Sequence, residues 1–171
     1  MKKSLEQLLI QCSNDISALE QIYRIFKNDV FAFSLSVLRN YQLAEDCVQE
    51  TFVRLPRAAK KFKGNIGGRE FIITITANIT KEYMRRSRRE LLPDESSVLE
   101  QPESVNFSDS LTVQKALSLL NANQRSVFTL RVFSDFTFEQ IAKILKLPVS
   151  TVKYTYYKAV EILDSKKEAY L

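Results

Sequence analysis

The stretch TFEQIAKILKLPVSTVKYTYYKA, residues 137–159, contains two helical patterns separated by a short turn. Thr137 and Gln140 have the spacing of a capping box, in which a hydroxyl and an amide satisfy the first free backbone N–H groups of a helix. Residues 147–149 interrupt the pattern, and Ser150 or its neighbour is expected to cap the second helix. Two short helices joined by a tight turn are typical of the helix-turn-helix motif.

The second of these helices has two chemically distinct faces. Because a helix advances by about 100° per residue, its apolar side chains fall on one stripe that would face a core. We expect this stripe to consist of Val152, Tyr156, Ala159 and Leu163. The opposite face carries hydroxyls, amines and phenols, which suit phosphates and base edges in the major groove of DNA. These candidate DNA-binding residues are Ser150, Thr151, Lys153, Tyr154, Tyr157 and Lys158. An ordinary helical hairpin with half-packed tyrosines explains the pattern equally well.

The remainder of the chain also favours helices. Its 171 residues include only three glycines and four prolines, too few for the tight turns of a β-sandwich or barrel. A helix is expected to begin at Asn14 or Asp15. Apolar periodicity predicts further helices over about 28–38, 43–55, 69–89, 111–120, 124–134, 137–145 and 150–167. The sequence therefore predicts an all-α protein.

Charge divides the chain into three parts. Residues 1–89 carry sixteen Lys and Arg against nine Asp and Glu, and residues 115–171 carry nine against five. Residues 90–114 carry six acidic residues and no basic one, and 90–110 contains two prolines without periodicity. We predict two small helical domains, 1–89 and 111–171, the second with four helices, joined by an acidic flexible linker over 90–110. Basic domains favour polyanionic partners, although solubility alone also explains them.

Residue types that build many catalytic and metal sites are scarce. The chain has no histidine, and its two cysteines, Cys12 and Cys47, are far apart in sequence. This composition argues against a zinc site, a catalytic triad and histidine-based acid–base chemistry. We predict no catalytic residue, metal or cofactor, and two buried thiols. With no signal peptide and no apolar run of about 18–20 residues, a cytoplasmic protein without membrane insertion is expected.

A basic stripe runs along the segment 69–89. Its apolar residues recur on one helical face, formed by Ile72, Ile75, Ile79 and Tyr83. The opposite face can neutralise several phosphates at once and offers an amide to a base edge. Its candidate DNA-binding residues are Asn78, Lys81, Arg85 and Arg88, with Thr74 beside them. The helix dipole explains one or two cations at the C-terminal end, but not a stripe that extends three turns back.

A third candidate surface lies on the segment 43–55. Its inner face is predicted to contain Ala44, Cys47, Val48, Thr51 and Leu55. Asp46, Gln49 and Val53 line the outer face, with Glu50 at its margin. A partner helix that carries arginines could bind such a stripe. A merely solvated face has the same pattern.

Motifs from both predicted domains, taken in order, resemble those of extracytoplasmic-function (ECF) sigma factors of the sigma-70 family. In the first domain they are Ala44-Glu-Asp-Cys-Val-Gln-Glu-Thr-Phe52, Phe62-Lys-Gly64, Ile75-Thr-Ala-Asn78 and Tyr83-Met-Arg-Arg86. In the second they are Gln124-Arg125, Phe138-Glu-Gln-Ile-Ala142 and Leu147-Pro-Val-Ser-Thr-Val-Lys153. The resemblance covers nearly the whole chain.

This resemblance implies a sigma factor that binds core RNA polymerase, through its β and β′ subunits, and directs promoter recognition and transcription initiation. It implies docking on a β′ coiled coil by Asp46, Gln49, Glu50 and Phe52. It implies that the minus-ten element and a flipped base are recognised by Asn78, Lys81, Arg85 and Arg86, to which the basic stripe adds Arg88. The loop over 62–71 would lie near that base. The resemblance further implies that the helix-turn-helix binds the minus-thirty-five element. The acidic linker would thread the RNA-exit path of the polymerase. An anti-sigma factor is an expected partner.

Several positions depart from the family pattern, among them Pro56, Lys146 and the pair Tyr154-Thr155. Pro56 predicts a kink or break in its helix, because proline removes one backbone donor and clashes with the preceding turn. Lys146 replaces the usual glycine and has to adopt a left-handed conformation or alter the turn. Tyr154 and Thr155 replace a Ser-Arg pair and remove an expected phosphate contact.

Three alternative functions fit parts of the sequence. A stand-alone helix-turn-helix regulator would bind DNA without polymerase, but it leaves the stripe of Asp46 and Gln49 without a purpose. A sigma mimic that titrates another regulator would bind no DNA, and its Arg85 and Lys158 would be dispensable. An enzyme lacks a convergent set of catalytic side chains.

Overall fold

The computed structural model describes residues 2–89 and 110–171, in which helices, joined by turns and loops, are the regular secondary structure. The N-terminal half, residues 2–89, contains α1 (Leu5–Gln11), α2 (Ile16–Leu38), α3 (Tyr41–Ala59) and α4 (Gly68–Arg89). The C-terminal half, residues 110–171, contains α5 (Ser110–Ser118), α6 (Ala122–Val132), α7 (Phe138–Leu145), α8 (Val149–Ser165) and a short 3-10 turn at Lys167–Ala169. The predicted all-α class is confirmed. The predicted linker lies outside the described residues, apart from Ser110.

The N-terminal half has its own apolar core. The largest side chains that this core encloses completely are Leu9, Ile22, Leu55 and Ile72, one from each of the four helices. Helix α1 lies against the start of α4, where a Cβ on Gly68 would come within 2.8 Å of the Leu5 side chain. Both cysteines are buried and free, as predicted.

Two boundaries in this half differ from the prediction. Helix α2 is capped by Asp15 but runs without interruption through Asn28, so the expected break there is wrong. The buried residues Ile22, Phe26 and Val30 continue the apolar face at four-residue steps, while the polar residues 27–29 remain on the outside.

Helix α3 continues past Pro56 to Ala59, and no break occurs. Proline removes a single backbone donor, and the buried side chains of Leu55 and Ala59 hold the last turn of the helix in the core. Helix α1 was not predicted, although Ser4 and Gln7 form a complete capping box at its start.

The C-terminal half contains the predicted helix-turn-helix as α7 and α8. Capping boxes at Asn121 and Thr137 start α6 and α7. Lys146 ends α7 with φ 55°, which confirms the left-handed alternative for this turn. The expected cap at Ser150 is wrong, because α8 begins one residue earlier, after Pro148, without a side-chain cap.

The two halves pack against each other. Phe33 and Val37 of α2, with Ile73 and Ala77 of α4, share one buried cluster with the helix-turn-helix. The members from the C-terminal half are Val127, Leu130, Phe136, Ile141, Ala142, Ile144, Leu145 and Val152. The sequence predicts two basic units joined by a tether and gives no sign of this shared apolar cluster. No helix within the two described ranges is long and apolar enough to cross a membrane.

Candidate protein-docking and nucleic-acid interfaces

The outer face of α3 presents polar side chains as predicted. Gln49 is exposed and Asp46 is half-buried, and the Gln42 amide donates a hydrogen bond to Asp46 Oδ1 at 3.1 Å. Val53 is 72% exposed beside them. The stripe thus combines a carboxylate, an amide and an aliphatic side chain.

Glu50 takes part in an ion-pair network that joins α3 to α4. Arg54 Nε donates to Glu50 Oε1 at 2.6 Å, and its two terminal nitrogens donate to the Glu82 carboxylate at 3.0 and 2.9 Å. Hydrogen bonds from Arg54 hold the pKa of Glu82 below its ordinary value, and the two carboxylates raise the pKa of Arg54. Arg54 thus orients the Glu50 side chain at the margin of the stripe, and its positive charge offsets part of the negative charge of Glu50.

Phe52 does not belong to this outer surface. Its side chain is only 7% exposed, and its ring meets that of Tyr23 edge-on at a centroid distance of 5.0 Å. Little of the Phe52 ring is thus accessible to a partner in this conformation, and its polymerase contact stays a prediction. Phe52 supports α3 from within the core.

A groove of about 410 Å³ lies beside the stripe, between α2 and α3. Its α3 wall includes Glu45 and Gln49, and its α2 wall includes Tyr23, Lys27 and Phe31. The spacing of residues in α3 gives no sign of this α2 wall, which also depends on α2 continuing without a break past Asn28. A surface formed by two helices can hold a third helix, so the α3 stripe is one side of a larger docking site.

The basic end of α4 is open to solvent. Arg85, Arg86 and Arg88 are exposed, and Arg86 lies 5.8 Å from the centre of the Tyr83 ring. Glu82, Arg85, Arg86 and Arg89 surround a shallow recess of about 250 Å³. This concentration of guanidinium groups suits phosphate binding.

The two upstream residues of the same stripe are less accessible. Asn78 is half-buried, and Lys81 Nζ donates to the Leu145 carbonyl of α7 at 2.9 Å. Burial and then the nearby ammonium group of Lys146 lower the pKa of Lys81. Of the predicted minus-ten residues, only the three arginines are therefore fully presented in this conformation.

The exposed face of α8 contains the predicted side chains. Tyr154 and Tyr157 are 66% and 60% exposed, and Ser150, Thr151 and Lys153 are exposed around them. Lys158 is half-buried, with Nζ 3.3 Å from Glu161 Oε2.

The inner face of α8 confirms the predicted stripe for Val152, Ala159 and Leu163, which are buried. Tyr156 is half-buried, with its ring stacked on Phe128 at 6.3 Å and edge-on to Phe138 at 5.3 Å. Helix α8 is thus fixed by aromatic packing on one side and carries polar groups on the other.

Comparison with known proteins identifies both halves. The chain matches the family model "Sigma-70 region 2" over residues 22–90 and "Sigma-70, region 4" over residues 110–163. It is 25% identical over 169 residues to RNA polymerase sigma-H factor of Pseudomonas aeruginosa, covering 88% of this chain and 86% of that protein. It is 27% identical over 174 residues to ECF RNA polymerase sigma-E factor of Escherichia coli K12, covering 85% and 91%.

Solved structures give the same fold. The sigma factor RpoE, in complex with the anti-sigma factor NepR from Bartonella quintana, matches with a TM-score of 0.73 and 24% identity, over 87% of this chain and 96% of that chain. CnrH, in complex with the cytosolic domain of CnrY, matches with a TM-score of 0.71 and 20% identity, over 97% and 99%.

A helix-turn-helix whose second helix has a free polar face, as α7 and α8 form here, is typical of DNA-binding transcription factors. The chain belongs to the sigma-70 family, as an extracytoplasmic-function sigma factor. It is therefore an RNA polymerase factor that directs promoter recognition and transcription initiation, as the sequence resemblance implied.

Proposed function

We propose that the outer face of α3, with Asp46, Gln49 and Glu50, docks a positively charged helix of core polymerase, the β′ coiled coil. The observation that supports this proposal is the exposed stripe beside the groove between α2 and α3. An arginine of the partner can pair with Asp46 while apolar side chains enter the groove. Phe52, which is 7% exposed, would contribute to this site mainly by holding α3 in place from the core.

We propose that α4 binds the minus-ten element. The exposed residues Arg85, Arg86 and Arg88 bind phosphates, and Asn78 and Lys81 contact the extruded base and its flanking backbone. Extruding a base costs a few kcal/mol, which a protein without ATP can offset by holding the base and several phosphates together. Phosphate contacts alone are salt-sensitive and do not select a sequence.

We propose that α8 enters the major groove at the minus-thirty-five element. Ser150 and Thr151 stand at its N-terminal end, where the helix dipole also favours phosphate. The phenols of Tyr154 and Tyr157 contact base edges, and Lys153 and Lys158 contact the backbone.

We infer the division of labour from these sites. Residues 1–89 form the polymerase-docking and minus-ten domain, residues 111–171 form the minus-thirty-five domain, and residues 90–110 link them. The protein acts by binding in the cytoplasm and catalyses no reaction. A protein inhibitor is expected, since one structural neighbour is in complex with an anti-sigma factor and another is in complex with the cytosolic domain of CnrY.

The docking proposal is tested by titrating core polymerase with the Asp46→Ala variant. We expect weaker binding and an unchanged thermal unfolding curve, because Asp46 bonds only to the solvent-facing Gln42. Glu20→Ala is the matched control, since Glu20 is exposed on α2 and pairs with Arg24. Equal affinity of the Asp46→Ala variant and the wild type would contradict the proposal.

The whole function is tested by in-vitro transcription with core polymerase on genomic fragments, with the start sites mapped. The chain is expected to confer start sites that core enzyme alone does not use. A chain that confers none on any template is not acting as a sigma factor.

A further inference from the structure

Two arginines lie where the end of α2 meets the start of α6. Arg39 directly follows the last residue of α2, and Arg125 is the fourth residue of α6. The Arg125 guanidinium donates one hydrogen bond to the Val37 carbonyl at 3.0 Å and another to the Leu120 carbonyl. The bond to Val37 brings Arg125 to a carbonyl only two residues before Arg39. The two cations are close enough for each charge to act on the other.

Neither of these cations has a negative partner in the described parts of the chain. Arg39 and Arg125 take part in none of the ion pairs within residues 2–89 and 110–171. The Nε atoms of both side chains are buried without a hydrogen-bond acceptor. Burial first, and then the charge of Arg39, lowers the pKa of Arg125 to about 10, so Arg125 still carries its charge at neutral pH. Buried donors without acceptors and cations without counterions both cost free energy.

Helix α6 adds a further positive potential to the pair. Its eleven residues begin after Asn121, whose side chain caps the helix by accepting from the Gln124 backbone N–H. The positive end of a helix dipole favours acidic side chains, but the first turn of α6 contains none. Arg125 therefore places a cation at an end of the helix that favours an anion.

The backbone of Arg39 is also unusual for its residue type. Arg39 ends α2 in the left-handed conformation with φ 52°, and its N–H donates to the Leu35 carbonyl at 2.8 Å. Glycine or asparagine usually ends a helix in this way, because a larger side chain is strained there. Strained residues of this kind are concentrated at binding sites. The turn itself thus gives no reason for a guanidinium at this position.

We propose that Arg39 and Arg125 bind a small phosphate-bearing anion, inorganic phosphate or a nucleotide, at the contact between α2 and α6. Planar guanidinium groups bind phosphate oxygens in pairs, and two of them compensate the charge of one phosphate group. None of the site's residues belongs to the outer face of α3, the basic end of α4 or the exposed face of α8. The proposal therefore does not rest on the roles proposed for those surfaces.

A nucleic-acid strand fits this pair less well than a small anion does. Strands of DNA or RNA are bound by rows of cations that neutralise several phosphates. The residues that flank the pair along the chain are uncharged, among them Asn40, Asn123 and Gln124. Two guanidinium groups with neutral neighbours match a single phosphate group.

Binding is measured on the free full-length chain in a phosphate-free buffer. The chain is titrated with inorganic phosphate, and sodium chloride at the same ionic strength is the control. We expect the NMR signals of the Arg39 and Arg125 Nε–H groups to shift with phosphate and to saturate. The thermal unfolding midpoint should rise more with phosphate than with chloride, because a ligand of the folded state stabilises that state. Equal responses to the two salts would show an effect of ionic strength alone and overturn the proposal.

Two glycine variants separate the site from the backbone strain. Arg39→Gly and Lys146→Gly each remove one cation from a left-handed helix end, with φ 52° and 55°. Both should raise the unfolding midpoint without phosphate, since glycine adopts this conformation without strain. Only Arg39→Gly should raise the phosphate dissociation constant, by at least about tenfold, whereas Lys146→Gly stays within about twofold of wild type.

Arg125→Lys is the second variant at the site. It keeps the charge but loses the planar fork, so the phosphate dissociation constant should rise by about threefold. The same dissociation constant for wild type, Arg39→Gly and Arg125→Lys would refute the site.

Further titrations identify the source of the phosphate group. Tighter binding of adenosine monophosphate than of inorganic phosphate indicates a nucleotide, and the reverse order indicates the free ion, while adenosine should not bind. A single-stranded octanucleotide that binds more tightly than both, and loses this affinity in Arg39→Gly, would assign the pair to nucleic acid and overturn the proposal.

The chain's own carboxylates are the last competitor. Residues 90–114 contain six acidic side chains, which can all be replaced by their amides. A wild type that does not bind phosphate, beside an amide variant that does, would show that these carboxylates occupy the arginine pair. That result would also overturn the proposal.

Discussion

Arg54 and Glu82 form a two-pronged ion pair that joins α3 to α4, with nitrogen–oxygen distances of 3.0 and 2.9 Å. One of these helices carries the proposed polymerase contacts, and the other carries the proposed minus-ten contacts. A planar guanidinium that binds both oxygens of a carboxylate fixes orientation as well as distance. The pair therefore sets the geometry between the two binding surfaces.

The Glu82→Gln variant is expected to lose stability in a pH-dependent way. Hydrogen bonds from Arg54 lower the pKa of Glu82 from its ordinary value of 4.5 in the folded protein. The resulting stabilisation is complete above the unfolded pKa and is lost as the pH falls through the lower folded pKa. Both side chains are about one-third exposed, so we expect only about 1 kcal/mol at neutral pH.

This difference is measured by urea unfolding of wild type and Glu82→Gln between about pH 7 and about pH 3. The gap between their free energies of unfolding should narrow as the pH falls. Glu139→Gln, at an exposed position on α7, serves as the control. A gap of constant size would show that the Glu82 charge is not responsible.

Phe52→Ala is expected to destabilise the protein by about 3 kcal/mol, because it removes a buried aromatic side chain and leaves a cavity. Val53→Ala, at the neighbouring exposed position, should change the free energy of unfolding by less than about 0.5 kcal/mol. Chemical denaturation of the two variants distinguishes the positions. A Phe52→Ala chain that unfolds like wild type would return Phe52 to the candidate surface residues.

Gly68→Ala is expected to destabilise the N-terminal half by about 1–3 kcal/mol. Its Cβ would lie 2.8–2.9 Å from side-chain carbons of Leu5 and Leu9, so α1 has to move away from α4. Gly67→Ala is the adjacent control, because a Cβ there has no neighbour within 4 Å. Thermal unfolding of both variants checks the difference, and equal midpoints would count against close packing of α1.

Lys158→Ala is expected to weaken binding to minus-thirty-five duplex more than binding to core polymerase. Its amine lies beside the exposed face of α8, and each lost phosphate contact also reduces the salt dependence of binding. Lys166→Ala, just beyond the end of α8, is the control. Fluorescence anisotropy with duplex DNA and with polymerase measures the two affinities. Equal losses for both partners would contradict the assignment.

The helix-turn-helix could be predicted because its signals are local. The capping box at Thr137 and the four-residue spacing of apolar residues in α8 lie within a few turns of the chain. Lys146 illustrates the limit of such signals. The resemblance indicates that this residue adopts a left-handed conformation or that the turn is altered. Only the structure shows that the left-handed conformation is the one adopted.

The docking of the halves could not be predicted in this way. Phe33 and Ile73 belong to helices of the N-terminal half, and nothing in their spacing indicates that they pack on α6 and α7. Lys81 was predicted as a free DNA contact for the same reason. Its bond to Leu145 links residues 64 positions apart, and periodicity carries no information at that range.

Helix α2 contributes side chains to two separate apolar cores. Ile22, Phe26 and Val30 belong to the core of the N-terminal half, whereas Phe33 and Val37 belong to the cluster shared with the helix-turn-helix. Departure of the C-terminal half would leave those last two side chains in water, at a cost of roughly 1.5–3 kcal/mol for each. These two side chains therefore help to hold the helix-turn-helix against the end of α2.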